Sequence, residues 1–197
     1  MPRQLRKIIQ GVTYHCYSRC LCLDKLLLSK DAKSCFLEAI KMCQNYYIFE
    51  LIAAEIVDNH MHLIIRTLES EETIDHIMQY IKARTAEKYN KIRKRKGPFW
   101  NERYKCKIIE ESEHPEQYLL YLLWYVAYNP VRKGLSRNPR ENYIGFINCY
   151  LADNYDVPVN ITLHHFFHGL GDTFPERVDK FLLYEDVYLQ KSELSFQ

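Results

Sequence analysis

The stretch VDNHMHLIIR, Val57 to Arg66, decides how the rest of the chain is read. It is a short apolar run rich in β-branched residues, with two histidines interleaved, and that is the pattern of a half-buried strand. Successive strand side chains point to opposite faces, so His60 and His62 share one face while Met61, Leu63 and Ile65 face the core. Two imidazoles so spaced are rooted about 7 Å apart, within reach of one divalent ion. The same pattern also suits two imidazoles resting on a polar sheet face. Two ligands do not complete a metal site, so a third would come from elsewhere in the chain.

Working outward, Asp58-Asn59 makes a tight turn and FELIAAEIV before it is a largely buried strand. Upstream, GVTYHCYSRC reads as a first strand opened by Gly11. Ser29 caps a helix through about Tyr47, with Phe36, Ala39, Ile40, Cys43 and Tyr47 as its apolar face. Downstream, Ser70 opens a second helix with Ile74, Ile77, Met78 and Ile81 inside, and Gly97-Pro98 stops it. RYKCKIIE is a fourth strand whose Arg103, Lys105 and Lys107 share a face. Pro115 begins a third helix, expected to end before Pro130 because proline disfavours helical geometry at Asn129. The order β-α-β-β-α-β-α places the chain in the α+β class, as a ferredoxin-like split βαβ unit with an antiparallel sheet and one added helix. The sequence changes character near residue 150. The expected division is a unit of residues 1–145 followed by a small acidic extension, 146–197, with two short helices.

The net charge of +2 hides an asymmetry. Residues 82–107 hold eleven Lys or Arg against Glu87 and Glu102, whereas residues 151–197 carry a net −5. Within that basic block, Lys82, Arg84, Lys88, Arg93 and Arg95 lie in the helix and its exit. Trp100, Arg103, Lys105 and Lys107 follow on the way into the fourth strand. With Tyr89, Phe99 and Tyr104 interleaved, these nine residues resemble a surface that holds phosphates and stacks bases. KIRKRK by itself would be only a solvated helix tip. The apolar fraction of 47% supports a sizeable core. No run approaches the length of a membrane helix, and the first residues lack the apolar segment of a signal peptide. Seven cysteines, an odd number, point to reduced thiols and a cytoplasmic location. Cys16, Cys20 and Cys22 lack the matching second half of a metal cluster.

EQYLLYLLWYVAYNPVRKGL, from Glu116, is apolar all round, so most of its aromatics belong to a core. Tyr118, Tyr121, Tyr125 and Tyr128 nonetheless recur at helical spacing, and Asn129 lies one turn beyond Tyr125. A phenol beside a divalent ion and a scissile phosphate can attack phosphorus. Periodicity does not choose between Tyr121, Tyr125 and Tyr128. No G-x-x-x-x-G-K-[ST] phosphate loop is present. His164, His165 and His168 read as helix-surface histidines.

Three separated motifs carry a resemblance over roughly residues 8–140: the H-hydrophobe-H strand, GPFWNERYKCKIIE after a basic helix, and YVAYNPVRKGL. Together they resemble the single-tyrosine HUH transposases, in particular the REP-associated branch related to the insertion-sequence 200 transposases. The paired-helix tail, about 158 to 190, is similar to one that many members carry. The resemblance implies a transposase that cuts and rejoins single-stranded or hairpin DNA through a 5′-phosphotyrosine. It implies His60 and His62 as metal ligands for Mg²⁺ or Mn²⁺, Asn129 as the third ligand and Tyr125 as the nucleophile. A monomer or a homodimer is expected, and no membrane partner. Asp58 departs from the proline common two residues before the first histidine, which bears on the turn and on ion preference. Two further readings stand beside this one: a host-retained DNA- or RNA-binding protein of the same fold without catalysis, and an RNA-processing nuclease with histidine as general base.

Overall fold

A computed structural model describes residues 7–21 and 24–194, so Cys22 lies outside the described residues. Four strands, β1 (Thr13–Arg19), β2 (Phe49–Ile56), β3 (His60–Thr67) and β4 (Lys105–Ile108), form one antiparallel sheet in the order β2-β3-β1-β4. The β2–β3 hairpin closes where expected, with Val57 N–H donating to His60 O at 2.9 Å and Asn59 N–H to the Asp58 carboxylate at 2.9 Å. Helix α1 (Lys30–Tyr46) joins β1 to β2, and α2 (Ile74–Ile92) joins β3 to β4. Each links parallel strands two places apart, and right-handed crossovers running in opposite senses put both helices on the same face. Met61, Leu63 and Ile65 are fully buried beneath them with Phe36, Ile40, Ile77 and Met78.

Local chemistry sets most boundaries. Ser29 caps α1, its hydroxyl accepting from Ala32 N–H. The cap of α2 is Thr73 rather than Ser70. Ser70 sits at φ 62 in the preceding turn, a left-handed conformation incompatible with starting the helix there. Helix α3 (Pro115–Arg132) runs through Pro130 instead of stopping before it. The proline falls in the last turn, where Gly134 at φ 66 donates to Val131 O and Leu135 N–H donates to Pro130 O. That is a Schellman closure, and together with burial of Pro130 it offsets the single ladder bond the ring forfeits.

Residues 146–194 also depart from the expected pair of short helices: α4 (His165–His168) is one turn, and α5 (Phe174–Leu194) spans 21 residues. The segment packs on the β2 edge and on α3. Thr162 N–H donates to Leu51 O at 2.8 Å and Tyr150 Oη to Ile52 O at 3.1 Å, beside the bulge between Leu51 and Ala53. Trp124 stacks on Phe181 and donates its indole N–H to Phe181 O at 3.1 Å. His164 is not on a helix surface. It is 1% exposed, caps α4 and meets the Thr13 hydroxyl at 3.0 Å, so packing against β1 has claimed it.

Candidate active site on the open face of the sheet

The sheet face opposite α1 and α2 gathers side chains from β1, β3 and β4, and α3 lies across it. Directly opposed residues share a face, so Tyr17 with His62, Arg19 with His60, and Lys105 with Tyr17 fix its membership. His60 and His62 are juxtaposed, their rings perpendicular with centroids 5.1 Å apart. His60 Nδ1 meets the Asn59 side-chain oxygen at 2.8 Å. His62 Nδ1 meets His15 Nε2 at 2.9 Å, while His62 Nε2 is buried with no hydrogen-bond partner among the described residues. A buried orphan nitrogen is costly unless something else engages it.

Burial disfavours the charged form of all three imidazoles. Burial, followed by the Lys107 charge, pulls His15 down to about 4. Burial also lowers His60, and it lowers His62 well below the usual histidine range, with His15, His60 and Arg132 adding to the effect. Neutral imidazole is the form that ligates a metal.

Helix α3 separates the three candidate tyrosines. Tyr125 turns its half-buried ring to His62, perpendicular at 6.1 Å. Tyr128 stacks on Tyr188 of α5 and donates to Glu185 at 2.7 Å, and burial with that carboxylate raises its phenol. Tyr121 also faces Tyr188, at 5.6 Å. Asn129 is buried one turn beyond Tyr125 and donates to Tyr125 O at 3.0 Å. Its side-chain oxygen accepts from Arg132 at 2.9 Å, and the same guanidinium sits 4.7 Å over the Tyr125 ring. The oxygen expected to bind a metal is therefore engaged by a cation.

The basic block does not form one surface. Lys105 and Lys107 lie on the histidine face, with Lys107 4.2 Å over the Tyr118 ring, and exposed Arg103 precedes them. On α2, Lys88 pairs with Glu38 at 2.7 Å and Arg84 with Glu87 at 2.6 Å. Arg93, at the end of α2, pairs with Asp31 at 2.8 Å, and Arg95 donates to Pro98 O. Lys82 donates to Glu102 O and lies over Trp100. The interleaved aromatics correct the base-stacking expectation: Tyr89, Phe99, Trp100 and Tyr104 are all buried, and Trp100 donates its indole N–H to Lys82 O. They are apolar enough to be drawn into the core, leaving the charges outside.

His15 and Arg132 were not singled out in the sequence. His15 carried one legible signal, its alternation with Thr13, Tyr17 and Arg19 along β1. Arg132 carried none beyond its place in NPVRKGL. A family model described as an IS200-like transposase matches residues 9–122, a span that holds His15, His60 and His62 and stops just short of Tyr125. Among solved structures, one of a REP-associated tyrosine transposase bound to a REP hairpin aligns with a TM-score of 0.64 and 17% identity, covering 83% of this chain and 94% of that one. Another, from Deinococcus radiodurans and described as a transposase, aligns at TM-score 0.42 and 18% identity over 61% of this chain and 95% of its own. No curated protein sequence matches.

Proposed function

The chain belongs to the IS200-like transposase family, and we propose that it is a metal-dependent transferase of single-stranded or hairpin DNA with Tyr125 as nucleophile. The observation that carries this reading is the Tyr125 ring set against His62, whose buried Nε2 has no partner among the described residues. His60 and His62 would hold a divalent ion, Mg²⁺ or Mn²⁺ by the family resemblance, as neutral nitrogen donors. Asn129 would join them only by exchanging the Arg132 donor for the ion. The bound ion would polarise the scissile phosphate as a Lewis acid.

The phenol oxygen of Tyr125 attacks phosphorus and the P–O3′ bond breaks. The phenolic proton ends on O3′, giving a free 3′-OH and a 5′-phosphotyrosine. A 3′-OH then attacks that linkage, which restores the phenol and reseals a strand. Arg132, over the Tyr125 ring, supplies positive charge next to the phosphate. Arg103, Lys105 and Lys107 hold the strand from the β4 side. The hairpin in the solved relative suggests the form of substrate.

Purified protein would be mixed with labelled single-stranded hairpins and Mn²⁺ or Mg²⁺, and a denaturation-resistant adduct sought. It should require metal and vanish in Tyr125→Phe and His62→Ala. An adduct that survives Tyr125→Phe would move the nucleophile to another tyrosine. The Arg132 contact on Asn129 favours a second reading, a hairpin-binding protein of the same fold without strand transfer. Tight binding with no adduct in either metal would support it.

A further inference from the structure

Both histidines of the pair have their Nδ1 occupied by a neighbour. For His60 the neighbour is the Asn59 side-chain oxygen, which only accepts, so His60 carries its proton on Nδ1 and presents Nε2. For His62 the neighbour is His15, on the adjacent strand β1. The two rings meet edge to edge, their planes 19° apart and their centroids 5.2 Å apart, with the facing nitrogens 2.9 Å from each other. One of those two nitrogens holds the proton. If His15 Nε2 held it, neutral His62 would bear its own proton on Nε2, a buried donor with no acceptor among the described residues. If His62 Nδ1 holds it, Nε2 is a bare lone pair, and both histidines present the same nitrogen.

We propose that His15 is a positioning residue: it accepts from His62 Nδ1–H and so aims the His62 Nε2 lone pair at the ion. The inference rests on the metal reading given under Proposed function. Its logic is general, since a ligating histidine is oriented by the hydrogen bond its other nitrogen makes. His15 is 8% exposed, and its strand register holds it diagonal to His62 on the same face. It acts through His62.

The test uses the full chain, ¹⁵N-labelled and metal-free, with long-range ¹H–¹⁵N correlation spectra of the histidine rings. His62 should appear with its proton on Nδ1. In His15→Phe, which keeps an aromatic ring but removes the acceptor, His62 should shift towards the Nε2–H form. Mn²⁺ affinity, read by electron paramagnetic resonance, should then fall about 10- to 100-fold. His15→Gln, whose amide oxygen can accept near the position of the imidazole Nε2, should recover most of both. A wild-type His62 protonated on Nε2 overturns the inference even if neither variant folds. So does a folded His15→Phe protein with unchanged tautomer and affinity. A wild-type chain with His62 protonated on Nδ1 that takes up no Mn²⁺ refutes the metal reading itself, and the inference with it.

Discussion

Glu55 shows how one residue's chemistry is fixed by burial. It lies opposite His62 on β2, 1% exposed, and accepts from Ile56 N–H at 2.9 Å and from Asn142 Nδ2 at 2.8 Å. Burial outweighs those two bonds and pushes the carboxyl up to about 8. The folded state therefore holds a proton that the unfolded state releases near 4.5. Stability from this group is greatest below 4.5, falls as pH rises, and levels off above about 8. Wild type minus Glu55→Gln, measured by urea denaturation at pH 5, 6.5 and 8, should fall steadily by on the order of a few kcal/mol. A difference independent of pH would mean that Glu55 is ionised in the fold. Nothing in FELIAAEIV signals this, because a glutamate even in a largely buried strand ordinarily faces water.

At the scale of elements, the decisive feature is the division of the basic block between α2 and β4. Lys88 and Arg93 already face acids on α1, across the sheet from the histidines. Lys105 and Lys107 share the histidine face. Each phosphate contact on a single strand contributes about −0.7 to the slope of log K against log salt. Replacing Lys105 and Lys107 by Ala together should make the slope shallower by about 1.4, read by fluorescence anisotropy on a single-stranded hairpin. Lys88→Ala with Arg93→Ala should change it by less than half as much. Equal changes would mean that the strand contacts α2 as much as β4. The block's net charge was legible in the sequence, but its division was not, since a count of lysines does not say which face of the sheet each one leaves from.

For the whole molecule, the candidate site is assembled within one chain. Tyr125 faces His62 of the same chain, and α5 holds α3 through the Trp124–Phe181 stack and the Glu185 bridge between Tyr128 and Arg140. Mixing Tyr125→Phe protein with His62→Ala protein should therefore yield no adduct, even at high concentration. Recovery approaching a quarter or more of the wild-type level would show that α3 serves a partner chain. No helix among the described residues is long and apolar enough to cross a membrane.

The sequence by itself determined the four strands, the main helices and their order, and the common face of His60 and His62. These follow from periodicity and capping, which act over a few residues and are written locally in the chain. Only the tertiary structure set Tyr125 against His62 and turned Tyr121 and Tyr128 to α5, a division that periodicity does not make because α3 is apolar all round. It also carried α3 through Pro130, turned the aromatics of the basic block inward, buried His164, and set Arg132 on Asn129 and His15 on His62. Each of those outcomes depends on residues distant along the chain that only packing brings together, and packing energy is a property of the assembled core, not of any segment.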